Sequence, residues 1–380
     1  MTKEERLWLW LNYATEHNTK AFHRIKNTFD TLEEAYECAQ KGEKGAFLDI
    51  SEQTYGKLKD AANDKFMDRY TGWLDRHKVG ITTLISNDYP ALLKEIPDPP
   101  TLLFYKGRPL CDIELPIAVV GTRKCTEYGR DIARLFSRQL AENGATIVTG
   151  LAGGIDTHAA LGAMDIDGKE APIIGVLGCG IDVVYPANNE LLFEGVEERG
   201  TIVTEYLPKT QPLKQNFPIR NRIISGLSMG VLVVEAGERS GTSITVSSAL
   251  EQGRDVFAVP GRITDPMSVS VNRLIQQGAA KPVFSVTDIL NEYLDSVTDM
   301  PYNAIAKQVA LSSLGEMERQ VYLQLRQGEK NVDELADNLM CRASVLNSTL
   351  TSMEFVGLIK QHAGKVFACD TIKTNVLMDE

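Results

Sequence analysis

Five short segments between residues 121 and 262 set glycine beside small polar or cationic residues: GTRK (121–124), TGLAGGID (149–156), GCGID (178–182), EAGERSGTSIT (235–245) and VPGR (259–262). Glycine lacks a Cβ, so its backbone can approach an oxyanion closely, and several such turns on one rim make an anion site. Cations accompany them. Arg123 and Lys124 follow the first glycine, Arg239 precedes Ser240, and Arg262 follows the last. Gly153 and Gly154 carry the second loop. Ser240, Gly241 and Thr242 open a helical pattern, where hydroxyls, free amides and the helix dipole favour the same negative charge. Plain N-capping is the competing reading of Ser240 and Thr242, and a tight strand-to-helix turn is the competing reading of any single loop.

A sixth stretch, NFPIRNRIISGLS (216–228), brings Arg220, Asn221 and Arg222 close behind Phe217, with Lys214 just ahead. Cations interleaved with an aromatic are how proteins hold single-stranded nucleic acid: the cations meet phosphates and bases stack on the ring, at about 1–3 kcal/mol each. The opposing reading buries Phe217 in the core and pairs the arginines with Glu205 or Glu235.

Other chemistry lacks its residues. There is no P-loop, no complete dinucleotide fingerprint, no nucleophile elbow, and no histidine placed to activate a serine or cysteine. The six cysteines form no CxxC pair and the five histidines show no ligand spacing, so reduced thiols and no metal are expected. No cofactor and no catalytic residue are expected either.

The elements that must position these loops repeat. Apolar runs at 117–121, 145–150, 172–178, 200–205, 230–237 and 255–261 alternate with helical patterns such as YGRDIARLFSRQLAENG and SITVSSALEQG. Strands apolar on both faces, with helices between them, predict a buried parallel sheet with loops gathered at its carboxyl edge. Residues 1–80 read as a helical domain, with Thr31 and Glu34 as a helix-opening pair. Residues 81–291 read as the α/β domain, a doubly wound parallel sheet, and 292–308 as a linker. Residues 309–380 read as three helices and a two-stranded wing, a winged-helix module.

At 380 residues the chain is long enough for two or three domains. Its 43% hydrophobic and 24% charged content is that of a globular protein. No apolar run approaches the roughly 18 residues of a membrane span, and the first residues lack the features of a signal peptide, so a cytoplasmic protein is expected. The formal net charge of −11 weighs against a generally sticky nucleic-acid binder. Local convergence of cations must supply any affinity.

Together, VGTRKCTEYG, IVTGLAGGIDTHAALGA, VLGCGIDVVYP, FPIRNRIISGLS, VVEAGERSGTSITVSSALEQGRDVFAVPG and NRLIQQGA resemble the DNA-processing protein A family, also called DprA or Smf, over about residues 80 to 285. The resemblance implies an extended Rossmann-like domain that binds and protects single-stranded DNA in natural transformation. It also implies a homodimer that loads the recombinase RecA and has no enzymatic turnover. Carried over by motif position, the strand contacts would be Arg123, Gly153, Gly154, Lys214, Phe217, Arg220, Asn221, Arg222 and Ser240 to Thr242. Two further readings stay open. GERSGTSIT is similar to the strand-end motif of nucleotide phosphoribohydrolases, with Thr245 where they hold glutamate. The chain could also be a winged-helix regulator with a nucleotide-sensing domain.

Overall fold

The computed structural model describes residues 1–16, 18–47, 49–111, 113–238, 240–293, 307–310, 314–339, 341, 343–355, 358–362, 365–369 and 374–377. Two compact units are present, Met1–Glu292 and Tyr293–Glu380. Most of the expected linker, and Arg239, lie outside the described residues.

The first unit begins with five helices, α1 (Lys3–Thr15), α2 (Thr19–Thr28), α3 (Leu32–Lys41), α4 (Glu52–Ala61) and α5 (Asp64–Arg76). Their starts are written in the sequence. Thr2 and Glu5 form a reciprocal capping box, and the Thr31 hydroxyl accepts the Glu34 amide at 3.1 Å. Trp8 and Trp10 are almost wholly buried, and the Trp10 indole donates to the Leu58 carbonyl at 3.0 Å, tying α1 to α4. Helix α1 also touches the first two strands.

Those strands open the sheet: β1 (Gly80–Thr83), then a short α6 (Ala91–Lys94) and β2 (Leu102–Gly107). The regular alternation follows as β3 (Pro116–Val120), α7 (Glu127–Glu142), β4 (Thr146–Thr149), α8 (Ile155–Met164), β5 (Ile173–Val176), α9 (Glu190–Arg199), β6 (Thr201–Thr204), α10 (Asn216–Gly226), β7 (Gly230–Val233), α11 (Thr242–Glu251), β8 (Asp255–Ala258), α12 (Val269–Gln276), β9 (Lys281–Pro282) and α13 (Thr287–Leu290). All are one sheet, ordered β1-β2-β6-β5-β4-β3-β7-β8-β9. From β6 to β9 every pairing is parallel, with Ala118 between Val148 and Val231, while β1 and β2 join antiparallel at the β6 edge. The expected α/β fold with a large, mostly parallel sheet is therefore present. Strands β3 to β7 are buried along their full length, because helices cover both faces.

The strand order fixes where a ligand would bind. From β3 the chain steps outward through β4, β5 and β6, then returns to place β7 on the other side of β3. The connections leaving β3 and β7 therefore part in opposite directions and open a crevice between their carboxyl ends. GTRK lies on one side of that crevice and the loop leading to Ser240 on the other.

In the second unit, α14 (Glu316–Leu325), α15 (Val332–Asn338) and α16 (Ala343–Phe355) pack over a core that includes Val321, Leu325, Leu335, Leu346, Leu350 and Phe367. Asn331 and Glu334 form the capping box that starts α15. A sheet in the order β11-β13-β12 accompanies them, built from Lys330–Asn331, Val366–Cys369 and Ile359–His362. Val366–Cys369 pairs antiparallel with both, and the two-residue strand ahead of α15 is too short to give a sequence pattern. A separate parallel pair joins β10 (Lys307–Ala310) to β14 (Thr374–Leu377). Among the described residues no helix is long and apolar enough to cross a membrane.

Candidate functional site

A cleft of about 460 Å³ sits at the crevice predicted by the strand order. Its lining includes Arg123 and Lys124 after β3, Asp156 after β4, Tyr185 after β5, Lys214, Phe217, Arg220 and Asn221 around the start of α10, and Ser240, Gly241, Thr242 and Thr245 after β7. Nine of the thirteen residues named from sequence thus share one cavity. Gly153, Gly154, Arg222 and Arg262 do not line it.

Phe217 is the centre of the cleft. The Arg123 guanidinium carbon lies 5.2 Å from its ring centroid, that of Arg220 lies 5.8 Å away, and the Tyr185 ring is 5.3 Å off at a tilt of 34°. The ring also presses on Gly178, where a Cβ would come within 2.9 Å of it. Phe217 is half-buried, not core. Tyr185 went unnamed among the expected contacts, although an aromatic before proline in the loop after a strand was a usable signal.

Among the described residues Arg123, Lys124, Lys214 and Arg262 make no ion pair, and all four are exposed. The first three converge on the cleft. Arg262 stands on the loop after β8, one strand further out. At the start of α11 the Ser240 hydroxyl accepts the Thr242 amide at 3.3 Å and contacts the Thr242 hydroxyl at 2.8 Å. The N-cap position of α11 is Gly241, which offers no side-chain cap, and its amide has no partner among the described residues.

The two outer arginines of the RNR triplet differ. Arg220 is 3% exposed and donates to the carbonyls of Gly150, at 2.9 Å, and Val176. It thereby closes the ends of β4 and β5 beneath Phe217. Burial pushes its pKa down to about 10, against the pull of the nearby Asp156 carboxylate. Burial likewise pushes the Asp156 carboxyl up, opposed by Arg220 and by the Ala152 and Gly150 amides. Gly150 is the only residue small enough between them, since a Cβ there would lie 2.6 Å from Arg220 and 2.7 Å from Asp156.

Arg222 points away from the cleft. It makes a bidentate pair with the buried Glu205, at 2.8 and 2.7 Å, and reaches Asp98 at 3.3 Å. Burial would lower its pKa, but Glu205 and Asp98 outweigh that and raise it. Glu235 is engaged differently. Its carboxylate accepts the Thr126 amide at 2.9 Å and the Thr126 hydroxyl at 2.5 Å, which anchors the start of α7 behind GTRK.

Several rim glycines answer to packing. Gly154, with φ of +80°, lies against the backbone of Thr122 and Arg123, so any side chain there would lift the Arg123 loop. At Gly153 and Gly241 nothing lies within 4 Å of where a Cβ would be. Those two leave open space in front of the backbone, as an approaching ligand requires.

Residues 80–294 match the family model described as DNA recombination-mediator protein A. The DNA processing protein DprA of Streptococcus pneumoniae is 45% identical over 235 residues, which cover 60% of this chain and 81% of that protein. The Bacillus subtilis DprA is 43% identical over 216 residues, covering 56% of this chain and 71% of its relative. Among solved structures, the S. pneumoniae DprA superposes with a TM-score of 0.57 at 38% identity, covering 71% of this chain and 96% of that one. A Helicobacter pylori DNA processing protein A, described for its single-stranded DNA binding mode, gives 0.51 at 30% identity, covering 57% and 96%.

Proposed function

Because the chain belongs to the DNA recombination-mediator protein A family, we propose that its cleft between β3 and β7 holds single-stranded DNA for recombination, by binding and without chemical turnover. One observation carries the reading: Arg123 stands over the half-buried Phe217 with Lys124 and Lys214 on the same rim, all three without an ion pair among the described residues. The cations meet successive phosphates while bases stack beside the Phe217 and Tyr185 rings. The single-stranded DNA binding mode of the H. pylori relative supports it.

In this reading the protein works in the cytoplasm, protects DNA taken up in natural transformation and passes it to RecA. Residues 1–80 act as a helical accessory domain and residues 309–380 as a winged-helix module. Exposed Ile263 and Phe284, at 92% and 79%, are apolar surface suited to a homodimer. A gel-shift comparison of one oligonucleotide as single strand and as duplex, at several salt concentrations, tests the central part. The single strand is expected to bind at least tenfold more tightly, by about 1.4 kcal/mol or more. Equal binding of the duplex would overturn the assignment.

A further inference from the structure

Arg222 belongs to the motif but not to the cleft, and its partners lead elsewhere. Its guanidinium is fixed on Glu205, whose side chain is 2% exposed, at the end of β6. Its Nε donates to Asp98, and the other Asp98 oxygen accepts the Thr19 hydroxyl at 2.6 Å. Thr19 is the first residue of α2. The Arg222 carbonyl accepts from Gln252 Nε2 at 3.0 Å, so the same residue also holds the end of α11. Further along α10, Gly226 lies directly on Leu93 and Ile96, in the segment that carries Asp98. A chain of side-chain contacts therefore runs from the N-terminal helices, through Thr19 and Asp98, to the helix that carries Phe217 and Asn221.

We propose that Arg222 is a positioning residue, and that the Thr19–Asp98–Arg222–Glu205 chain sets the seat of α10 so that the N-terminal helices control the grip of the cleft. The effect on DNA rests on the single-strand reading above. The mechanical link does not. Asp98 is 56% exposed, so its own contribution to folding is small, and it offers a handle that leaves the protein intact.

The test uses the full chain. Asp98→Asn and Thr19→Val are each expected to speed hydrogen exchange of the α10 amides by about two- to fivefold without DNA, while α7 amides stay unchanged. A merely structural role would speed both helices together or neither, and either result would overturn the link. In parallel, the double variant Arg222→Met with Glu205→Met removes the buried pair without leaving a buried orphan charge, since Asp98 is exposed. It is expected to bind a single strand several-fold more weakly with the same dependence on salt. A log–log salt slope flattened by about 0.7 would instead mark Arg222 as a phosphate contact and overturn the positioning role. Absence of single-strand binding by the unaltered protein would sink the functional reading alone, because the exchange comparison still decides the link.

Discussion

Replacing Phe217 and Arg123 together by alanine is expected to weaken single-strand binding about 100-fold at moderate salt, with the fold retained. Stacking on an aromatic is worth about 1–3 kcal/mol per base, and an exposed cation over a ring adds about 0.5–1 kcal/mol. In the proposed reading Arg123 also meets a phosphate, whose loss grows as salt is lowered. The two residues touch, so the single variants are expected to sum to more than the double, each already removing the shared Arg123–Phe217 contact. Fluorescence anisotropy with a labelled oligonucleotide at fixed salt measures all three. Arg262→Ala, on the neighbouring loop outside the cleft, is the comparison and is expected to change affinity by no more than about twofold.

Arg220→Ala is expected to act first on stability. The side chain is buried, carries a charge, and satisfies the carbonyls of Gly150 and Val176 at the ends of two central strands. Its removal leaves those carbonyls without this donor and the Asp156 carboxylate without the nearby positive charge, held by the Gly150 and Ala152 amides and the more distant Arg123. Removing a buried cation that bonds two carbonyls and offsets a nearby buried carboxylate costs about 3–5 kcal/mol, which lowers the melting temperature by about 10 °C in a unit of this size. Calorimetry of the full chain measures it. Arg220→Met combined with Asp156→Leu removes both charges and is expected to recover part of the loss, which a simple cavity effect at Arg220 would not allow. Single-strand binding by Arg220→Ala well below its melting temperature is expected to fall as well, because Phe217 loses the guanidinium packed on it.

The two arginines show how far the sequence could be read. Strand positions, the loops at their ends and the rim they form were legible, because apolar runs and glycine turns repeat at the spacing of βα units. The side on which each arginine falls was legible only once the helix start was known. Helix α10 begins at Asn216, with Pro218 in its first turn, a place proline favours. Residues 217, 220, 221 and 224 then share one face, and all four line the cleft. Arg222 lies off that face. Without that helix start the periodicity stays hidden, and both arginines read alike as contacts to a single DNA strand. Which face of α10 meets Glu205 was beyond the sequence, since that depends on how β6 and the segment around Asp98 are brought together in space. Glu235 illustrates the same limit: it was a credible partner for an arginine, but the fold gives it to Thr126. The glycines were half legible. Gly153 and Gly241 face open space as an anion site requires, whereas Gly150, Gly154 and Gly178 are demanded by close approach of protein groups that only the fold reveals.

The most direct measurement of the central claim is the salt dependence of single-strand affinity. Arg123, Lys124 and Lys214, unpaired among the described residues, predict a log–log slope of about −2, at about −0.7 for each neutralised phosphate of a single strand. Arg123→Ala is predicted to flatten it to about −1.4. A slope near zero for the unaltered protein, or the same slope with and without Arg123, would contradict a cleft that grips the strand through these side chains.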